Sequence, residues 1–429
     1  MRTVDDLTRS LAAGRLGRRG FLLRAAGLGL SASAAAALLE ACGRESAQGT
    51  TRGAADVSVA VLLPTSGDYA QFGQGSLAAA RLALADINRA GGIRSLGGAR
   101  MSFLVEDVTS DPTTVRTVTE RVLSANRVAA VSGCYASALT IVATEVSERV
   151  QVPFLTASVA DTLTQRGFRY LFQVAPKASQ YGKMQMDFVG ELARRKGVTP
   201  RVAVVYENTD YGTSTSRGLR DGAQANGFDL VLFESYSARF TDATPLVTKI
   251  RDVRPDFVFP VSYLGDAIQI VKGLKAQSVP AAIIGGGAGF TVADFWSQVG
   301  TAAQGLITVA AWNNDNRCTG VADFARRYRS TARQFLFEYA GEQYVQIWTI
   351  AQALEKAAST DPRKVRDALA ALDLQAQNGS QVTGCTVRFD ATGWNSSAHP
   401  VVAQWQNGEL HTIWPAADAT VQPVLPPGY

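Results

Sequence analysis

The fold is decided by VSVAVLLP at residues 57–64, GQGSLAAARLALADINRAGGI at 73–93 and MSFLVED at 101–107. The first run is short and β-branched, which predicts a strand. The second carries apolar residues at Leu77, Ala80, Leu84 and Ile87, a helical stripe closed by Gly91-Gly92, and the third predicts a second strand. Strand, helix and strand at this spacing mark a parallel sheet with helices on both faces. The alternation continues with a helix over 113–125, VAAVSG at 128–133, a helix over 138–148 and VPFLTA at 152–157. A second series follows YLFQVAP at 170–176. It holds a helix over 181–195, RVAVVYE at 201–207, a helix over 213–226, FDLVLFESY at 228–236, a helix over 243–251, PDFVFPV at 255–261, a helix over 266–277 and AAIIGG at 281–286. Two such arrays, each of about 120 residues, predict two α/β lobes side by side. Near the end, Asn407-Gly408 stands between two alternating runs, the strongest short-range hairpin signal.

One pattern competes with this reading. Gly73-Gln74-Gly75-Ser76-Leu77-Ala78 fits G-x-G-x-x-A, and Glu106-Asp107 ends the next strand, as in a dinucleotide-binding unit. In that unit the first glycine directly follows the strand; here TSGDYAQF at 65–72 intervenes, which favours small residues packing at a helix start.

Composition bounds the rest. The 429 residues are 46% apolar, enough for ordinary cores in two to three domains of about 150 residues each. The net charge is +5, but arginines 2, 9, 15, 18, 19 and 24 face only Asp5 and Asp6 in the first 24 residues. Without that segment the chain is close to neutral and lacks a Lys/Arg run suited to phosphates, so no nucleic-acid partner is expected. Residues 1–42 run from a charged stretch through an apolar one at 25–39 to a small residue, Ala41, the order of an export signal. A membrane span would need about 20 strongly apolar residues, and this stretch is shorter and mostly Ala, Gly and Ser. LGRRGFLLR at 16–24 resembles the twin-arginine export motif, with Gly17 where Ser or Thr is usual. Leu39-Glu40-Ala41-Cys42 resembles a lipobox, with Glu40 where a small or apolar residue is usual, and implies lipidation at Cys42. Residues 43–55 are small and polar, a flexible tether.

The stretches at 59–93, 104–112, 131–140, 152–176, 201–214, 255–263, 342–357 and 387–394 resemble, in the same order, the periplasmic type I binding proteins of the branched-chain amino-acid and amide group that serve ABC importers. The resemblance implies two Rossmann-like lobes joined by a three-strand hinge, with ligand in the cleft between them. Lobe one would take 56–175 and 309–384, and lobe two 176–308 and 385–429. Closure on ligand would be a hinge motion presenting the closed form to a permease. It implies an exported, lipid-anchored solute-binding protein, a monomer partnered by permease and ATPase subunits; a sensory or regulatory receptor on the same scaffold is the alternative.

The resemblance also assigns the site. Ser137 matches the serine that meets a ligand carboxylate at a helix N-terminus. Ser158 matches a position whose carbonyl accepts from the ligand ammonium. Ala160 stands where amino-acid binders carry a threonine, so only its amide can serve. Gly287, in IIGGGAGF at 283–290, falls where a glutamate pairs with the ammonium, and no acid lies in that stretch. Asp210 or Asp266 would have to substitute; otherwise the cleft suits an uncharged amide, a carboxylate or an aromatic acid. Phe72, Tyr211, Tyr263 and Tyr344 match aromatic walls, and Tyr135 is an additional candidate; core packing is the alternative for any one of them.

Of the remaining cysteines, Cys318, in the second segment of lobe one, and Cys385, at the limit of that segment, are the favoured disulfide pair, leaving Cys134 as a small buried residue beside the site. A catalytic thiol would want a histidine, and the chain offers only His399 and His411. Glu106, Asp107 and Asp111 admit a metal-cluster reading, against which stands Asp111 as a helix cap before Pro112. No enzyme activity, cofactor or metal is expected.

Overall fold

In the computed structural model, which describes residues 56–375, 379 and 386–426, the strands assemble into two large sheets with helices against their faces. The first sheet has the order β2-β1-β3-β4-β5 and is parallel throughout, with β1 at Val57–Leu63, β2 at Met101–Asp107, β3 at Ala130–Gly133, β4 at Phe154–Thr156 and β5 at Leu171–Gln173. Its crossovers are helices α1 (Ala70–Arg89), α2 (Pro112–Ala125) and α3 (Ser137–Val150). Six of the seven residues of β1 are buried, as expected of a central strand covered on both faces.

Helix α1 begins three residues before Gly73. A Cβ at Gly73 would stand 2.1 Å from the Pro64 carbonyl oxygen, so the glycine lets the first turn lie against the end of β1. The buried face is Phe72, Ser76, Ala79, Ala80, Ala83 and Ile87, while Leu77 and Leu84 are only half-buried. The expected stripe is thus rotated, because small residues admit another helix closely. Asp111 caps α2, its carboxylate accepting from the Thr114 amide with Pro112 in the first turn. Glu106 makes two hydrogen bonds to Arg121, and Asp107 Oδ1 accepts from the amides of Thr65, Ser66 and Thr109.

The second sheet has the order β14-β13-β10-β9-β8-β6-β7. It comprises β6 (Arg201–Glu207), β7 (Asp229–Tyr236), β8 (Phe257–Val261), β9 (Ala282–Gly285), β10 (Ile307–Ala310), β13 (Val401–Gln406) and β14 (Glu409–Trp414), beside helices α4 (Ala178–Lys196), α5 (Asp210–Ala225), α6 (Thr244–Val253), α7 (Leu264–Ala276) and α8 (Ala293–Val299). At the β13–β14 turn, Asn407 and Gly408 have φ of 54° and 86°, the backbone a two-residue hairpin demands.

The chain returns to the first sheet with α9 (Val321–Ala332), α10 (Glu338–Ala357) and α11 (Pro362–Ala370), then pairs β11 (Asp373–Gln375) with β12 (Thr386–Arg388). Helix α10 packs along α1, and Ser132 at the end of β3 links to Gln346 at 2.9 Å and to Gln343 at 2.7 Å. Strand β10 pairs with β13 as far as Ala310 and with β9 over Ile307 and Thr308. Strand β12 pairs with β11 in a separate two-stranded sheet, and the Asn395 amide donates to the Gln173 carbonyl of β5 at 2.8 Å, so residues up to 395 lie beside the first sheet.

Cys134 is buried and free, and Cys318 is disulfide-bonded. Cys385, its expected partner, lies outside the described residues, as do the expected export signal, Cys42 and the tether. Among the described residues no helix is long and apolar enough to cross a membrane.

Gly133 ends β3 with φ 138°, and a Cβ there would meet the Leu62 carbonyl oxygen at 2.0 Å. Gly133→Ala is expected to lower the unfolding free energy by about 3 kcal/mol, measured by chemical denaturation.

Candidate functional site

Parallel strands end on one edge of a sheet, and the loops leaving that edge start the next helices; a crevice along it collects side chains from many segments. Here both sheets contribute to one cavity, about 370 Å³ when the open solvent at its mouth is included. The first sheet supplies Tyr135 and Ser137 after β3 and Ala157, Ser158 and Val159 after β4. From the second come Tyr181 on α4, Tyr211 in the first turn of α5, Tyr263 before α7 and Ala288 after β9. Glu338, Tyr339 and Glu342, from the first turns of α10, complete the wall.

Five of the residues singled out from sequence line this cavity: Tyr135, Ser137, Ser158, Tyr211 and Tyr263. Tyr135 is the centre of an aromatic cluster. Its ring stacks on Phe72 at 4.1 Å, meets Tyr339 edge-on at 4.9 Å and lies 5.9 Å from Tyr263, which is 5.2 Å from Tyr211. Phe72 therefore backs the wall from behind. Ser137 Oγ accepts from the Ala160 amide at 3.1 Å, which leaves its own proton to donate. Ala160 is fully buried, and its amide is engaged by Ser137 instead of facing the cavity. The Ser158 carbonyl accepts from Gln173 Nε2 at 2.9 Å, while its hydroxyl bonds the Tyr135 carbonyl at 2.8 Å.

Two positions depart from expectation. Tyr344 lies away from the cavity: its hydroxyl donates to Asp86 at 2.9 Å and its ring packs 4.1 Å from Phe324, because residues 338, 339 and 342 take the cavity side of α10 and residue 344 turns toward α1 and α9. Gly287 contributes space in place of a side chain. Its φ is 86°, and a Cβ would sit 3.1 Å from Tyr181 Cε2. Neither acid considered as a substitute reaches the cavity. Asp210 accepts from Thr162 Oγ1 at 3.4 Å, and Asp266 accepts from the Arg239 amide at 3.0 Å, with burial pushing its carboxyl up to about 6.

The acids that do reach it were missed. Glu338 is buried and hydrogen-bonded: Oε1 accepts from Thr291 Oγ1 at 2.9 Å, and Oε2 accepts from the Ala311 amide at 2.6 Å and from Tyr181 at 3.4 Å. Burial raises its carboxyl above the usual range, and these hydrogen bonds pull it back. Glu342, one turn on, is buried and lines the cavity; burial, then the Glu338 charge, push its carboxyl well up. Two glutamates four residues apart at the start of a long apolar helix were the available signal. Tyr181 and Tyr339 were missed too, being indistinguishable in sequence from core tyrosines.

The sequence profile of the Periplasmic binding protein family matches residues 56–408. The Leu/Ile/Val-binding protein homolog 8 of Brucella abortus is 30% identical over 376 residues, 85% of this chain and 92% of its own length. Among solved structures, the branched-chain amino acid transporter substrate-binding protein LivJ of Streptococcus pneumoniae, in complex with isoleucine, superposes with a TM-score of 0.73 at 23% identity, covering 84% of this chain and 100% of that one. A solute-binding protein of R. palustris in complex with benzoate does so with 0.73 at 16% identity, covering 86% and 98%. With two sheets, one parallel and one largely so, meeting at one lined cavity, a profile spanning most of the folded residues and a relative of this coverage, the chain belongs to the periplasmic binding protein family, extracytoplasmic proteins that bind solutes.

Proposed function

We propose that this protein captures one small organic solute between its two sheets and delivers it, chemically unchanged, to the permease of an ABC importer. The cavity carries this reading, because its walls come in comparable number from both sheets and a solute there would join them. Contacts between segments of the two sheets support closure: Arg239 pairs with Asp68 at 2.9 Å, and the Asp161 amide donates to Ser214 Oγ at 3.3 Å. Both Arg239 and Asp68 are more than half exposed, so the pair aligns the closed form and adds little stability. The relatives' names point the same way, toward branched-chain amino acids and, in the benzoate complex, an aromatic acid. The sequence before residue 56 supports export as a lipoprotein anchored through Cys42, with the folded part tethered outside the cytoplasmic membrane as a monomer.

A thermal-shift panel on the purified protein tests the binding role. A true ligand at about 100 times its Kd is expected to raise the melting temperature by about 3 °C or more; a flat response to amino acids, amines, amides and organic acids would reject it. For a ligand bearing a carboxylate, Ser137→Ala is expected to weaken binding by about 1 to 2 kcal/mol in titration calorimetry, since the hydroxyl is held ready to donate. Unchanged affinity would remove Ser137 from the site.

A further inference from the structure

Glu342 stands apart from every other buried acid of the site. It is 3% exposed and lines the cavity, and among the described residues its carboxyl makes no hydrogen bond or ion pair. Glu338, four residues earlier, has three partners. The remaining walls offer Glu342 no counter-charge, because no Lys, Arg or His lines the cavity. They offer rings instead: Tyr135, Tyr181, Tyr211, Tyr263 and Tyr339, with the buried Tyr135 hydroxyl also unpartnered. Aromatic faces attract cations, and a buried acid without a partner is costly unless a ligand brings one.

We propose that the cavity takes a solute bearing a positively charged nitrogen, paired with Glu342 and packed against the tyrosine rings. The inference rests on the solute-binding reading above and narrows it. It also moves the counter-charge from the loop at Gly287 to helix α10. The charged nitrogen belongs either to an α-amino acid, whose carboxylate would meet Ser137, or to a simple amine or quaternary ammonium.

A pH dependence follows from the surroundings. Glu342 shares its wall with Glu338 and Tyr339 and faces Tyr181 from α4, Tyr135, Tyr211 and Tyr263. Burial holds all five tyrosines well above their usual range, so they stay neutral, and the two carboxyls are the groups that titrate. Burial and the Glu338 charge raise the Glu342 carboxyl and so favour its protonated form, whereas pairing with a cation favours its ionised form. Affinity for a cation of fixed charge therefore rises with pH, by up to about tenfold per unit.

The test is calorimetric titration of the purified protein at pH 7 with leucine, phenethylamine, choline, benzoate and acetamide, repeated on Glu342→Gln. Leucine, phenethylamine or choline is expected to bind, and the substitution to weaken it by about 30-fold or more while the ligand-free melting temperature holds or rises. Leucine binding tightest points to an amino acid, phenethylamine or choline to a simple cation. Should Glu342→Gln not fold, the wild-type pH profile between 5 and 8 decides: affinity for whichever ammonium compound binds must increase with pH, and a flat or falling profile overturns the proposal. Equal affinity in the folded variant overturns it as well. Binding of benzoate or acetamide alone overturns the charged nitrogen and leaves solute binding standing; binding of none of the five overturns both.

Discussion

The carboxyl of Glu338 is the fastening on which the site depends. It sits where α10, packed along α1 of the first sheet, meets the loops that leave β9 and β10 of the second, and it bonds Thr291, the Ala311 amide and Tyr181 together. A buried carboxyl is stable only when such partners replace water, so the position tolerates little variation in geometry. Once the first turn of α10 is held there, helical periodicity carries Tyr339 and Glu342 onto the same wall and turns Tyr344 away. The fit is reinforced by Trp312, whose indole N–H donates to the Glu338 carbonyl at 2.7 Å.

Around that fastening the parallel strands of the two sheets do the rest of the positioning. Strands β3, β6 and β8 end at the cavity, so helices α3, α5 and α7 begin there, each bringing a hydroxyl or a ring: Ser137, Tyr211, Tyr263. Glycine supplies clearance where a side chain would intrude, with Gly133 under the Leu62 carbonyl and Gly287 beside Tyr181. Because the backbone sets the shape, ligand choice is left to a few side chains. Isoleucine in one structural relative and benzoate in another are held on the same scaffold.

The sequence carried the local structure well. Strand β6 begins and ends where its β-branched run does, the Asn407-Gly408 turn has the required positive φ, and Asp111 caps the helix that Pro112 starts. These features are set by neighbours within a few residues, through turn chemistry and side-chain period. Several cavity residues were legible for a related reason: Ser137, Tyr211 and Tyr263 follow strand ends, which are visible as the close of an apolar run.

Features joining distant segments were not legible. Strand β10 takes its place in the second sheet by pairing with β13, about 90 residues away, which no local period records. The apparent loss of a counter-charge at Gly287 was a true reading of that loop and an incomplete reading of the site, since Glu342 arrives from a helix 55 residues further on. By itself, the sequence determined the alternation of strand and helix, the two arrays and the loops from which a site would be built, because backbone propensity and burial period act over short range. Tertiary structure alone decided that Glu338 would be satisfied and Glu342 left facing the cavity, because a carboxyl's environment is made by segments that meet only when the two sheets are brought together.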